Sequence, residues 1–225
     1  MAFIVSHPAR RSRVPARTVR LAVCAVWREE IWMSDESSDP YWDSVTAYYP
    51  PEDRIESVAR WRTPELDLHG CSLRAIPDQV WDMTYLKELH LYLNRLRALP
   101  ENIGQLTGLT WLNLADNELP ELPDRIGELT QLTRLDAQGN RLTSLPRSMA
   151  SLSGLAILYL QDNQLTEVPA SLAGLSGLRT LFLSGNKISA LPDWLAEMPV
   201  LASLQVARNP LTQVPRAVAD RFGLG

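Results

Sequence analysis

The chain has 225 residues, 45% of them hydrophobic, enough for one domain or two small ones with a sizeable core. A formal net charge of -4 argues against bulk attraction to nucleic acid, and no apolar run is long enough to span a membrane. The two cysteines, Cys24 and Cys71, lie far apart and make no disulfide framework, which fits a reducing compartment.

Residues 1–32 carry Arg10, Arg11, Arg13, Arg17, Arg20 and Arg28 against Glu29 and Glu30, whereas the remaining chain is acidic. This Arg-rich start followed by Leu21–Trp27 faintly mimics a signal peptide, but its apolar part is short and no small-x-small cleavage site follows. Leu21-Ala22-Val23-Cys24 departs from a lipoprotein box at Val23, and Arg10-Arg11 is a poor twin-arginine match. Arg28–Met33 is compatible with a purine-rich ribosome-binding run just ahead of Met33, and the charge changes abruptly there. The tail is therefore expected to be disordered or to precede the true start of translation at Met33.

Residues 33–62 read as an N-terminal cap. Near 51–62, Pro51 suits a first helical turn, Glu52 and Asp53 suit its dipole, and Ile55, Val58 and Ala59 fall on one face. Tyr41, Trp42, Tyr48 and Tyr49 belong either to that cap or to a docking motif; the cap is favoured because exposed aromatics are costly.

From residue 63 to 222 the chain repeats. Pro77, Pro100, Pro123, Pro146, Pro169, Pro192 and Pro215 recur every 23 residues, and Asn94, Asn117, Asn140, Asn163, Asn186 and Asn209 keep the same step. The copies begin at Thr63, Leu86, Leu109, Leu132, Leu155, Leu178 and Leu201, making seven. Leu112 and Leu114 alternate with polar neighbours at strand period, so successive copies should stack into a parallel sheet at about 4.8 Å spacing. Ile126 and Leu129 close the coil behind it, and Leu-Pro is expected to end the turn and block helix continuation. No copy can bury its own leucines alone, so stability comes from stacking. Each Asn should bond the backbone of the neighbouring coil. Cys71 takes that place in the first copy and reads as structural, since nothing nearby is expected to depress its pKa. Val218 and Phe222 are expected to cover the last coil.

One copy, with Leu109, Leu112, Leu114, Asn117, Leu119, Leu122-Pro123, Ile126-Gly127 and Leu129, resembles the leucine-rich-repeat family in its 23-residue L-P-x-x-I-G-x-L variety. That variety is similar to repeats of bacterial cytoplasmic, Ras-suppressor-type and plant intracellular Ras-group-related proteins. The resemblance implies an α/β repeat: a right-handed solenoid with parallel strands on the concave face and short helical or 3-10 turns on the convex face. It also implies that partners bind the inner sheet.

By that resemblance three outward rows are assigned. The first is Glu65, Glu88, Trp111, Arg134, Ile157, Thr180 and Ser203; the second is Asp67, His90, Asn113, Asp136, Tyr159, Phe182 and Gln205; the third is His69, Tyr92, Ala115, Gln138, Gln161, Ser184 and Ala207. Trp111, Arg134, Asp136, Ile157, Tyr159 and Phe182 gather mid-face, with Tyr92, His90 and Asn113 beside them. Arg134 can stack on the indole of Trp111, and aromatics with Arg are the residues enriched in binding hot spots. Plain cross-strand pairing is the alternative reading.

At the N-terminal end, Glu65, Asp67, His69, Glu88 and His90 are types that can hold a divalent metal, with Asp67 and His90 as expected cross-strand neighbours. The spacing matches no defined site, and a solvated patch pairing Asp with His is the preferred reading. No Gly-rich phosphate loop or nucleophile constellation occurs. The expectation is a cytoplasmic scaffold or regulator, neither an enzyme nor a cofactor carrier, monomeric, and binding a protein rather than nucleic acid or membrane. A secreted bacterial effector role, or a metal or enzymatic site at the acidic end, is the alternative.

Overall fold

The computed structural model describes residues 50–224. The Arg-rich tail, Cys24, Met33 and the aromatics Tyr41, Trp42, Tyr48 and Tyr49 lie outside the described residues.

Helix α1, Pro51–Trp61, begins with proline at its first turn and Glu52 and Asp53 near its positive end, and stops where Arg62 turns left-handed at φ 50°. Ile55 is buried and Val58 packs on the core, but Ala59, expected on the same face, is exposed. Arg54 Nη1 donates to the carbonyl of Asp67 at 3.2 Å, and Tyr85 Oη donates to that of Val58 at 3.0 Å, tying α1 to the first two coils.

Seven three-residue strands follow at a 23-residue step: β1 Glu65–Asp67, β2 Glu88–His90, β3 Trp111–Asn113, β4 Arg134–Asp136, β5 Ile157–Tyr159, β6 Thr180–Phe182 and β7 Ser203–Gln205. They form one curved parallel sheet in the order β1 to β7 without a crossover. Every residue faces its equivalent one coil later, Leu66 on Leu89, Leu89 on Leu112 and so on to Leu204. The central leucine of each strand points inward, and from Leu66 to Leu181 it is fully buried. Such burial is worth about 1.5–3 kcal/mol per side chain, available only when a neighbouring coil is present.

The convex side is a series of 3-10 turns, the first five being Asp78–Asp82, Glu101–Gln105, Asp124–Glu128, Arg147–Ser151 and Ala170–Gly174. Here the prolines play a different part from the one expected. Pro77, Pro100, Pro123, Pro146 and Pro169 each stand just before a turn and start it. Their carbonyls accept the N–H three residues on, as Pro77 does from Val80 at 3.0 Å and Pro123 from Ile126 at 3.1 Å. A fixed φ near -65° and a missing N–H fit that place at no loss.

The asparagine ladder joins the coils. Asn117 Nδ2 donates to Leu91, in the previous coil, at 2.9 Å and to Leu114 and Ala115 in its own, while its Oδ1 accepts from the N–H of Leu96 at 3.0 Å. Asn94, Asn140, Asn163, Asn186 and Asn209 repeat the pattern. Cys71 has the corresponding place in the first coil, where its thiol donates to the carbonyl of His69 at 3.4 Å. Burial pushes its pKa up. Contrary to expectation, Arg54 is close enough to pull it down, but burial outweighs that pull.

Just before each ladder residue the backbone turns left-handed, at Gly70, Leu93, Asp116, Gly139, Asp162, Gly185 and Arg208. Between Asp162 and Arg208, Gly185 leaves room for an ion pair that steps over a whole coil, Arg208 Nη2 lying 3.0 Å from Asp162 Oδ1. A Cβ at Gly185 would fall on the Asp162 carboxylate. The stack ends in helix α2, Arg216–Phe222, which buries Val218 and rests Phe222 on the core. Arg221 fixes it by donating to the carbonyls of Ala196, Met198 and Leu201 at 2.6, 2.8 and 2.7 Å.

Candidate functional site

In-register stacking makes each row of side chains on the concave sheet continuous. Trp111 is paired with Arg134, Arg134 with Ile157, Asp136 with Tyr159, and Tyr159 with Phe182. At the centre, the Arg134 guanidinium carbon lies 4.3 Å from the centroid of the Trp111 ring and 5.2 Å from that of Tyr159. The expected stack on the indole is present, and a second ring completes it. Tyr159 in turn lies flat on Phe182, centroids 4.7 Å apart and planes 2° from parallel. Trp111, Arg134, Ile157, Tyr159 and Phe182 are all half-buried, so this row keeps a surface to offer.

Two residues expected on that surface are beneath it. His90 is 7% exposed because Trp111 covers it, the rings meeting edge to face at 4.4 Å. Asp136 is also 7% exposed. Its Oδ1 accepts from the N–H of Gln138 at 3.2 Å, and burial, partly offset by that bond and by Arg134, holds its carboxyl above the usual range. Asn113 makes the same local bond to the N–H of Ala115 at 3.1 Å, as Asp67 does to that of His69 at 2.9 Å. These second-row residues therefore finish the strand ends, a structural duty the sequence rows did not suggest. In the third row, Ala115 and Ser184 are buried as well.

At the N-terminal end, Asp67 and His90 are opposite in register, but their polar groups look elsewhere. Asp67 holds His69 Nδ1 at 2.7 Å, and Glu88 lies 3.4 Å from His90 Nε2. The reason is reach: Asp67 turns back to its own strand end, while Trp111 pins the imidazole of His90. Tyr92 stacks on His69, centroids 4.6 Å apart. Among the described residues no three His, Cys, Asp or Glu side chains are grouped so as to hold a metal ion.

Comparisons with known proteins agree with this architecture. A leucine-rich-repeat-region model matches residues 44–153, and a leucine-rich-repeat model matches residues 130–188 and 153–211; neither is a catalytic family. The structure is similar to that of a leucine-rich-repeat protein of Leptospira interrogans, with a TM-score of 0.66 and 27% identity, covering 74% of this chain and 48% of that one. It is also similar to an internalin of Listeria monocytogenes, with a TM-score of 0.58 and 22% identity, covering 71% of this chain and 56% of that one, a likeness of fold alone. The chain thus spans about half the length of these structures. No curated protein matches it. With the repeat register and the seven-stranded parallel sheet agreeing with family models that together match residues 44–211, the chain belongs to the leucine-rich-repeat family.

Proposed function

We propose that this chain is a protein-interaction module, a cytoplasmic scaffold or regulator that holds a protein partner against the concave sheet. One observation carries the reading: Arg134 sits between Trp111 and Tyr159, with Phe182 stacked beyond. The core leucines hold the solenoid without these side chains, so folding does not require large apolar groups there. A planar cation fixed between rings, flanked by more aromatic area, has the composition of a binding hot spot and loses little side-chain entropy on association. The sheet is preformed, and rigid docking is expected.

Capture of a partner by the full chain, followed by its titration onto Trp111→Ala/Phe182→Ala, tests the proposal. The double variant should keep a cooperative urea transition and lose at least a hundredfold in affinity, since each hot-spot side chain is worth about 2 kcal/mol or more. Undiminished binding by a folded double variant removes this face from consideration.

A further inference from the structure

We infer that Arg134 receives a carboxylate of the partner, and that Tyr159 and Phe182 seat an apolar side chain a few residues away, so that the bound segment is acidic and apolar. This rests on the concave-face reading above and gives it a chemistry. The guanidinium carbon lies over the Trp111 ring at 4.3 Å and over that of Tyr159 at 5.2 Å, and a guanidinium held against rings keeps its N–H edge for hydrogen bonds. That edge is unfilled. Arg97, Arg125, Arg141 and Arg208 each pair with a carboxylate of this chain, but no described carboxylate pairs with Arg134. Arg134 Nε is buried without an acceptor, and so is the adjacent Trp111 Nε1. On the same face the buried Gln161 Oε1 also lacks a partner, whereas the asparagine ladder is satisfied, and buried polar groups left open ask for an explanation. Asp136, two residues along the same strand, accepts the N–H of Gln138 at its Oδ1.

Charge decides which anion. Arg134 is a single cation in a sheet whose neighbouring acids include Glu88 and Asp136. A doubly charged phosphate would meet those carboxylates with one guanidinium to offset them. A carboxylate carries one charge on two coplanar oxygens and matches the guanidinium edge. Toward the C-terminal end the next strands offer Ile157, Tyr159, Thr180 and Phe182, with no charge among them. Phe182 lies two strands from Arg134, about 10 Å at the usual strand spacing, or about three residues of extended peptide.

A phage-displayed library of random 12-residue peptides, selected on the full chain, reads this out. The enriched peptides should share an Asp or Glu about three residues from an aromatic or large aliphatic residue. A synthetic peptide of that consensus should bind Arg134→Gln at least tenfold more weakly, the size of a lost charge-assisted bond. Its Asn or Gln analogue should lose the same factor on the wild type and nothing further on Arg134→Gln. A urea melt of Arg134→Gln confirms that the variant is folded. Enriched peptides with no acid, with Lys or Arg at that place, or with affinity unchanged by Arg134→Gln but lost in Trp111→Ala/Phe182→Ala, overturn the carboxylate assignment and leave the face standing. Peptides that bind the double alanine variant equally well, or no enrichment over an unrelated protein, overturn the assignment and count against the face too. Tighter binding of a phosphoserine analogue replaces the carboxylate with phosphate and also refutes it.

Discussion

Asn140→Ala in the middle of the stack and Asn209→Ala at its end remove the same four hydrogen bonds from different surroundings. Asn140 Oδ1 accepts from Leu119 at 3.0 Å, and its Nδ2 donates to Leu114, Ala137 and Gln138 at 2.9, 3.2 and 3.1 Å. Asn209 does the same with Ile188, Leu183, Val206 and Ala207. Leu119 is fully buried and Asn140 is 6% exposed, so no water replaces the amide at the centre. One buried N–H left open costs about 1–3 kcal/mol, and the lost bonds to carbonyls add to it, so we expect about 3 kcal/mol at Asn140. Asn209 is half-exposed and Ala207 exposed; water takes over there, and about 1 kcal/mol is expected. With a urea dependence of about 2 kcal/mol per molar, the midpoints should fall by about 1.5 M and 0.5 M. Far-UV circular dichroism through a urea titration measures both. A central break should also lower the steepness of the main transition, because coils on either side uncouple. Equal shifts for the two variants, or less than about 0.5 M for Asn140→Ala, would show that the ladder is not what joins the coils.

Other substitutions probe other parts of the molecule. Gly70 and Gly185 share a left-handed backbone, but only at Gly185 would a methyl meet a neighbour. Gly70→Ala should cost about 1–2 kcal/mol by backbone strain, and Gly185→Ala clearly more because Asp162 must leave Arg208; equal melting shifts would contradict the steric account. Leu93 sits at φ 56° with 56% of its surface exposed, so Leu93→Asn should stabilise by about 0.5–1 kcal/mol, and a lowered urea midpoint would refute this. Asp136 is held above its ordinary pKa by burial. The folded chain therefore binds that proton more tightly than the unfolded one, and stability is lost as pH rises from the unfolded value of about 3.9. Asp136→Asn should gain on the wild type between pH 4 and pH 7, and a gap that stays constant or narrows argues against a buried, reluctant carboxylate.

Much of this was legible because the register leaves little freedom. Once Leu, Asn and Pro recur at one step, Trp111 must face Arg134 and Tyr159 must face Phe182, and the stack of Arg134 on the indole follows from adjacency alone. Depth was not legible in the same way. His90 and Asn113 stand in equivalent places, yet His90 is buried because Trp111 happens to lean over it. Asp67 turns to His69 rather than to His90 because a short side chain at a strand end bonds its own backbone first. The left-handed residue before each ladder position went unread, since Leu93 and Arg208 hide a pattern that Gly and Asp would have announced. Arg221 gave no sign of its role either: its acceptors lie 20 to 25 residues back along the chain.

Arg221 also makes the end of the molecule portable. All three carbonyls it holds come from Ala196 to Leu201, the bend leading into the final coil. The hydrogen bonds by which Arg221 fixes α2 are thus contained in residues 196–221. Coils duplicated or deleted between Asn117 and Asn163 leave those bonds intact, provided whole 23-residue units are exchanged. Length is therefore the variable this architecture can change most cheaply, while the terminus behaves as a detachable fitting that can be carried from one array to another.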